Sequence, residues 1–265
     1  MTTRRNMIKA GAGLAAILAS GKAPAYIVKS MIAARQIFLG RGDGAKAPTA
    51  ADYVQDGLVA MWDGIENAGW NTHDETATVW KDLIGSNDME LTRRGSFGDA
   101  YLSSNSSTSP YNAAHAQISI DCMAIECVAQ RASGNIAISN GVGAYAKNKG
   151  VCFSATTYVQ FDFYNEYGLE NRQELGFGNI HSYSAVYQNT GASYVDRCYQ
   201  DAKQLVKLEG TNTWANRGGF SVGGGTIAGY TWAGKMYCIR LYDRDLTDAE
   251  IVANYAVDKA RFNLP

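Results

Sequence analysis

Residues 229–262 constrain the fold most, because a strand pattern there passes directly into a helix pattern. Side chains at 236–242 alternate between two faces, with Ile239 and Leu241 on one face and Arg240 on the other. A period of two is typical of an antiparallel strand with one face in the core and one in solvent. The stretch therefore predicts a half-buried strand that closes a β-sheet.

A capping box predicts the helix that follows this strand. Thr247 stands three residues before Glu250, so each side chain can accept a hydrogen bond from the other residue's backbone N–H in the first turn. Ile251, Tyr255 and Phe262 fall on roughly one stripe of such a helix. We expect a short C-terminal helix whose apolar stripe packs behind the closing strand.

Short alternating segments separated by turns fill the middle of the chain. The segment 118–130 places Met123, Ile125, Cys127 and Ala129 on one face of a strand. Segments 181–187 and 194–199 flank a turn and predict a hairpin. Together with 28 glycines and few helical patterns, these segments predict an all-β sandwich.

Three motifs at the two ends of the domain resemble a known family. The motifs are D-G-L-V-A-M-W at 56–62, W-K-D-L-I-G at 80–85 and W-A-G-K-M-Y-C-I-R-L-Y at 232–242. They resemble the laminin-G-like jelly rolls of the concanavalin A-like lectin/glucanase superfamily. The resemblance implies one jelly-roll β-sandwich over residues 53–265, with the tryptophans of these motifs in its core. It leaves function open, because that superfamily hosts lectins, hydrolases and inert spacers.

The first residues of the chain have the parts of a bacterial export signal. Arg4 and Arg5 precede a mild apolar run at 10–20 and an A-P-A cleavage pattern, in an arrangement that resembles a twin-arginine leader. We predict an export signal at 1–25, a helical extension and linker at 26–52, and a periplasmic, cell-surface or extracellular location. The alternative is an N-terminal leader helix that is amphipathic and stays uncleaved.

The charge distribution separates this leader from the domain. The chain has a formal net charge of −1, and residues 1–47 hold eight Lys or Arg against one Asp. Residues 48–265 therefore carry about −8. Nucleic-acid binding needs a basic stripe, so this acidic domain predicts no nucleic-acid partner. Contact with a membrane is expected only through the leader.

Five cysteines, an odd number with no C-x-x-C pair, leave the redox state open. Cys122 and Cys127 are five apart, so on a regular strand they face opposite sides and cannot pair with each other. Each cysteine lies in or near an apolar strand, where a reduced thiol behaves as a small hydrophobe. Buried free thiols are the prediction, with disulfides as the alternative.

The carboxylates do not form the pattern of a glycosidase. Enzymes of this fold class carry acidic residues at alternate strand positions, which places them on one face at catalytic distance. Three pairs have the i, i+2 spacing, and none has a third partner: Asp88/Glu90, Asp243/Asp245 and Asp248/Glu250. We therefore predict no catalytic residues and a chain that is not an enzyme, with a glycoside hydrolase as the third-ranked function.

One loop concentrates oxygen ligands and an aromatic side chain. Calcium takes six to eight oxygens from carboxylates, amides and backbone, and the laminin-G-like resemblance implies a Ca²⁺ beside the ligand face. The candidate calcium ligands are Asp63, Glu66, Asn67, Asn71 and Asp74. Trp70 in the same loop and Trp214 farther along are the candidates for stacking on a sugar ring.

Two classes of function follow from these patterns. The leading prediction is an exported, non-catalytic binding module that recognises a glycan or another surface ligand. The alternative is a structural or adhesive component of a phage virion or cell surface, which keeps its N-terminal helix and assembles with itself or with partners.

Overall fold

The fold is taken from a computed structural model that describes eleven segments of the chain. These are residues 47–105, 113–116, 123–134, 138–140, 150–153, 158–162, 173–174, 178–189, 193–210, 220–222 and 232–265. The predicted export signal, the helical extension up to residue 46 and Trp214 lie outside the described residues.

The described residues form sixteen strands, a 3-10 turn at Ala50–Asp52 and one α-helix. In chain order they are β1 Leu58–Asp63, β2 Val79–Trp80, β3 Met89–Leu91, β4 Gly95–Gly98, β5 Tyr101–Asn105, β6 Ala114–Ala116, β7 Ala124–Gly134, β8 Ile138–Asn140, β9 Gly150–Phe153, β10 Tyr158–Asp162, β11 Gln173–Glu174, β12 Ile180–Asn189, β13 Tyr194–Gln200, β14 Lys203–Gly210, β15 Phe220–Val222, β16 Trp232–Tyr242 and helix α1 Asp248–Phe262. The prediction of an all-β fold with a short C-terminal helix is confirmed.

The strands pair antiparallel in three sheets. The large sheet has eight strands in the order β14-β13-β12-β7-β16-β5-β4, and β1 also pairs with β16. A second sheet has the order β2-β3-β6-β15-β8, and a third has the order β11-β10-β9. The predicted hairpin is confirmed as β12 paired with β13.

Strand β16 lies at the centre of the large sheet. Its first half pairs with β5 and its second half with β1, while β7 runs along its other side. Ile239, Leu241 and Met236 face a core shared with the second sheet, whose own members include Trp80 and Met89. This is the sandwich core.

A second core lies on the opposite face of the large sheet, under α1. Cys238 and Tyr242 of β16 pack there against Ile251 and Val257 of the helix. Arg240 is therefore fully buried, so the prediction that β16 has a solvent face at this position is wrong. Period two marked the two faces correctly, but the pattern alone could not show that the helix covers the polar one.

The family motifs have identifiable packing roles. Trp62 and Trp80 are fully buried, as the resemblance implied. Asp82 accepts hydrogen bonds from the backbone N–H of Met61, Ile84 and Asn87, at 3.0, 3.0 and 3.1 Å. The bond from Met61 ties the W-x-D-L turn to β1, and the other two hold the turn itself.

The capping box of α1 is present as predicted. Thr247 Oγ1 accepts from the Glu250 N–H, and Glu250 Oε2 accepts from the Thr247 N–H. Asn263, with φ of 53°, ends the helix in a left-handed conformation. A two-ended cap fixes the length of the helix, and this decides how much of the sheet it covers.

The chain enters the fold before Tyr53, where the domain was predicted to begin. Ala50 is fully buried in the second core, and the Pro48 carbonyl accepts a hydrogen bond from Arg261. Cys127, Cys198 and Cys238 are free and buried, so the thiol prediction is confirmed for these three. In the described residues no helix has the length and apolar character needed to span a bilayer.

Candidate functional site

The loop that follows β1 holds Trp70 as an exposed and fixed ring. Trp70 is 42% exposed, and its Nε1–H donates to the Leu83 carbonyl at 2.7 Å. Ile84, another exposed apolar side chain, follows Leu83 directly in the chain. A ring that has already made its polar bond offers an apolar surface with little rotational freedom to lose on binding.

Two of the predicted calcium ligands, Asp63 and Glu66, already interact with hydrogen-bond donors of the protein. Asp63 Oδ1 accepts from the Ile65 and Glu66 N–H, and its Oδ2 accepts from Arg261 at 2.8 Å. Glu66 Oε1 is 3.7 Å from the same guanidinium. Burial raises the pKa of Asp63 while Arg261 lowers it, and the net direction is upward. A cation between these two carboxylates would have to displace Arg261.

The other three predicted ligands lie farther along the loop. Asn67 exchanges two hydrogen bonds with the Asp74 backbone, at 2.7 and 2.8 Å. Asp74 Oδ1 accepts from the side chain and the N–H of Thr76, which lowers the pKa of this exposed carboxyl. Asn71 is exposed at a turn with φ of 56°. The described residues contain no group of three or more His, Cys, Asp or Glu arranged to hold a metal ion, and the calcium site stays a prediction.

A cluster of three charged side chains is buried between the large sheet and α1. Arg240 donates two hydrogen bonds to Asp258, at 2.6 and 2.9 Å, and a third to Glu126 at 3.1 Å. Burial, reinforced by the Asp258 charge, raises the pKa of Glu126 against the opposing effect of Arg240. All three side chains have 0 or 1% exposure, so this cluster holds the helix to the sheet and cannot meet a ligand in solvent.

Three carboxylates of the pairs noted in the sequence, Asp88, Asp248 and Glu250, have structural partners. Asp88 accepts from the Asp82 N–H and pairs with Lys81. Asp248 accepts from Arg197 and Tyr199 at the start of α1, and Glu250 belongs to the helix cap.

One half of the large sheet's helix-side face is left uncovered by α1. Met236 faces the sandwich core, so its neighbour Lys235 faces the helix side. Lys235 stands opposite Ser103 of β5 and Gln130 of β7, and cross-strand partners share a face. We call this surface the open face, and it comprises Tyr101, Ser103, Gln130, Lys235 and Tyr237, all partly exposed.

An aromatic pair forms the centre of the open face. The rings of Tyr101 and Tyr237 have centroids 5.5 Å apart at 60°, and Lys235 Nζ lies 4.1 Å from the Tyr101 centroid. Tyr237 donates to Gln130 Oε1 at 3.3 Å, and its pKa is raised by partial burial. Phe262 at the end of α1 packs edge-on against Tyr237, with centroids 5.7 Å apart, and marks the border of the covered half.

Backbone geometry keeps this pair in place. Gly98 stands opposite Tyr101 in the β4–β5 ladder, and a Cβ at this glycine would lie 2.7 Å from the Tyr101 ring. Tyr237 sits at a register irregularity between Met236 and Cys238, which a strict period of two does not anticipate. The sequence patterns therefore missed the open face, although the K-M-Y sequence that follows Gly234 contains two of its residues, Lys235 and Tyr237.

Comparison with known proteins finds similar structures but no similar sequence family. No protein-family model and no curated relative matches the sequence. Solved structures that resemble the chain include a Trypanosoma rangeli sialidase, with a TM-score of 0.52, 14% identity, and coverage of 88% of this chain and 38% of the sialidase. The same enzyme in complex with sialic acid gives a TM-score of 0.55 at 14% identity, with 88% and 38% coverage.

The botulinum neurotoxin type G receptor binding domain also resembles the chain, with a TM-score of 0.51, 9% identity, and coverage of 77% of this chain and 52% of that domain. At such identities the likeness concerns the fold alone, a β-sandwich. The chain spans 38% of the length of the sialidases, so most of each sialidase has no counterpart in it.

These neighbours correct one prediction from the sequence. The prediction that the chain is not an enzyme is wrong as an exclusion, because solved structures that share its fold over 88% of its length include sialidases, which are enzymes. The missing same-face carboxylate trio excluded one type of glycosidase, and the prediction extended that exclusion to enzymes in general.

Proposed function

We propose that the chain binds a glycan and that the open face contacts it. The observation that carries the proposal is the Tyr101–Tyr237 pair, which stays partly exposed on the same sheet face that α1 covers at Cys238 and Tyr242. Sugar rings present C–H groups that pack on aromatic faces and hydroxyls that need hydrogen-bond partners. The open face offers both, since Ser103, Gln130 and Lys235 surround the tyrosines.

The comparisons support this proposal through the fold. The sialidase structure that resembles the chain was solved with sialic acid, which is a sugar. We also propose that the domain is laminin-G-like, on the strength of the buried Trp62 and Trp80 and the Asp82 turn. Trp70 and Trp214 are proposed as further sugar contacts outside the open face. Export through the predicted leader would expose the domain to surface glycans.

A glycan array tests the proposal with the full-length chain. Tyr101→Ala and Tyr237→Ala should each reduce the affinity for the best glycan by about tenfold, because an aromatic contact contributes about 1 to 2 kcal/mol. Tyr255→Ala is the matched control, since Tyr255 is a partly buried tyrosine of α1 outside the open face. The control should lose stability comparably and keep its affinity.

Two other results would change the proposal. An array with no binding would remove glycan recognition and favour the assembly role, for which light scattering of the full-length chain gives the oligomeric state. Loss of glycan binding in the presence of a chelator would support the predicted Ca²⁺ site and would show that glycan affinity depends on the bound ion. Equal loss of affinity in all three tyrosine variants would place the effect in folding and contradict the open face as the site.

A further inference from the structure

We propose that Arg93 and Arg94 form an anion subsite at one end of the open face, so that preferred glycans carry a carboxylate or a sulfate group. The inference rests on the proposed glycan-binding function and adds to it the class of ligand.

A cleft lies where β4 begins. It has a volume of about 390 Å³ and is lined by Arg93, Arg94, Gly95, Ser96 and Asn105. This volume falls in the range of roughly 300 to 1,000 Å³ that ligand pockets occupy.

The cleft belongs to the open face. Ser96 stands opposite Ser103 in the β4–β5 ladder, so both residues share the helix-side face of the sheet. Asn105 lies two positions after Ser103 on β5 and faces the same side. A ligand over the tyrosines could therefore extend along β5 into the cleft.

The backbone that carries the arginines is fixed by short contacts. The Thr92 N–H donates to the Ala113 carbonyl at 2.9 Å, and the Gly95 N–H donates to the Thr92 carbonyl at 3.0 Å. Arg94 N–H donates to Thr92 Oγ1 at 3.2 Å. A Cβ at Gly95 would lie 2.4 Å from the Ala113 carbonyl oxygen, so the turn passes close against its neighbour. The two guanidinium groups leave from a turn that is already ordered.

These arginines differ from most others in the described part of the chain. Four arginines there have a carboxylate within 4 Å: Arg197, Arg240, Arg244 and Arg261. Among the described residues no carboxylate forms an ion pair with Arg93 or Arg94. Two adjacent unpaired cations in a domain with a net charge of about −8 leave donors free for an anion.

The donor set fits an acidic sugar. A guanidinium presents two parallel N–H groups that match the two oxygens of a carboxylate or sulfate. The Ser96 hydroxyl and the Asn105 amide supply donors and acceptors for neighbouring sugar hydroxyls. No covalent chemistry is required for this recognition.

Calorimetric titration of the full-length chain with three related sugars tests the inference. The probes are lactose, 3′-sialyllactose with a carboxylate, and 3′-sulfolactose with a sulfate, so the two acidic arms also identify the anion. We expect at least one acidic sugar to bind about tenfold more tightly than lactose, and the advantage to shrink as NaCl is raised. The double variant Arg93→Gln/Arg94→Gln should remove the advantage and leave lactose affinity unchanged.

Two further variants test whether the advantage of acidic sugars depends on the shape of the guanidinium group or only on the net charge of the domain. Arg94→Lys keeps the charge without the guanidinium fork and should retain part of the advantage. Lys203→Gln removes an exposed cation from β14, at the far edge of the sheet, and should change nothing. Equal binding of all three sugars, unaffected by the arginine variants, would overturn the subsite while the proposed function stands. Binding of none of the three would overturn the subsite proposal, and the array would then decide the proposed function separately.

Discussion

The Asp258→Ala variant offers the sharpest test of how the fold is held together. Asp258 is fully buried and accepts four hydrogen bonds. Two come from Arg240, one from the Tyr53 hydroxyl at 2.8 Å and one from the Ser182 hydroxyl at 2.7 Å. Through these bonds one carboxylate joins the N-terminal entry of the domain, β12, β16 and α1.

The loss in free energy of unfolding can be estimated from the buried groups that Asp258→Ala leaves without this partner. Removing one partner of a buried ion pair destabilises a protein by about 3 to 5 kcal/mol, because the other charge stays buried. Arg240 keeps Glu126, which limits that cost, while Tyr53 and Ser182 each lose an acceptor worth about 1 kcal/mol. We expect a total of about 4 to 5 kcal/mol, against a typical folding stability of 5 to 15 kcal/mol. Asp258→Asn, which keeps the volume and part of the bonding, should cost about half as much.

Urea denaturation of the full-length chain, followed by tryptophan fluorescence, measures these free energies. Glu75→Ala is the control, since this exposed carboxylate has no described partner and its loss should change stability by less than about 0.5 kcal/mol. A loss below about 1.5 kcal/mol for Asp258→Ala would refute the argument that this buried cluster anchors α1 to the sheet.

Three further predictions concern pH, the exposed loop and export. Because burial raises the pKa of Glu126 above its ordinary value of 4.5, the folded state keeps a proton that the unfolded state releases. The free energy of unfolding should therefore fall as pH rises from about 4.5 through the raised pKa, and Glu126→Gln should flatten that part of a urea-midpoint profile. Trp70→Ala should lower glycan affinity by about 1 to 3 kcal/mol in the array, and it should lower the free energy of unfolding by about 1 kcal/mol, since it also removes the Nε1–H bond to the Leu83 carbonyl. Replacing Arg4 and Arg5 by Lys should abolish twin-arginine translocation in a cell-fractionation assay, and unchanged export would contradict that pathway.

The sequence was sufficient for the fold wherever a local pattern has one physical cause. The alternation at 236–242 correctly predicted β16, and the Thr247–Glu250 capping box correctly predicted where α1 starts. The environment of Arg240 could not be predicted in this way. Its burial depends on Asp258 and Glu126, which are 18 and 114 positions away in sequence. A charged residue in a strand normally indicates a solvent face, and only the tertiary contact reverses that inference.

The candidate site was less predictable for the same reason. The loop with Trp70 is contiguous in sequence, so a search for clustered ligand types found it. The open face draws on three strands, and Gln130 meets Tyr237 across 107 positions. Its residue types are common on any β-sheet, so they become a candidate site only when register places them together and helix length leaves them uncovered.

Amide resonance mapping tests the central claim most directly. The full-length chain would be titrated with the glycan that gives the strongest array signal, and backbone amide shifts would be followed to saturation. The account predicts that the largest shifts fall in β5 and at residues 232–237, with small shifts in α1. Largest shifts in α1 or along the β14 edge, or no saturable shift at any glycan concentration, would contradict it.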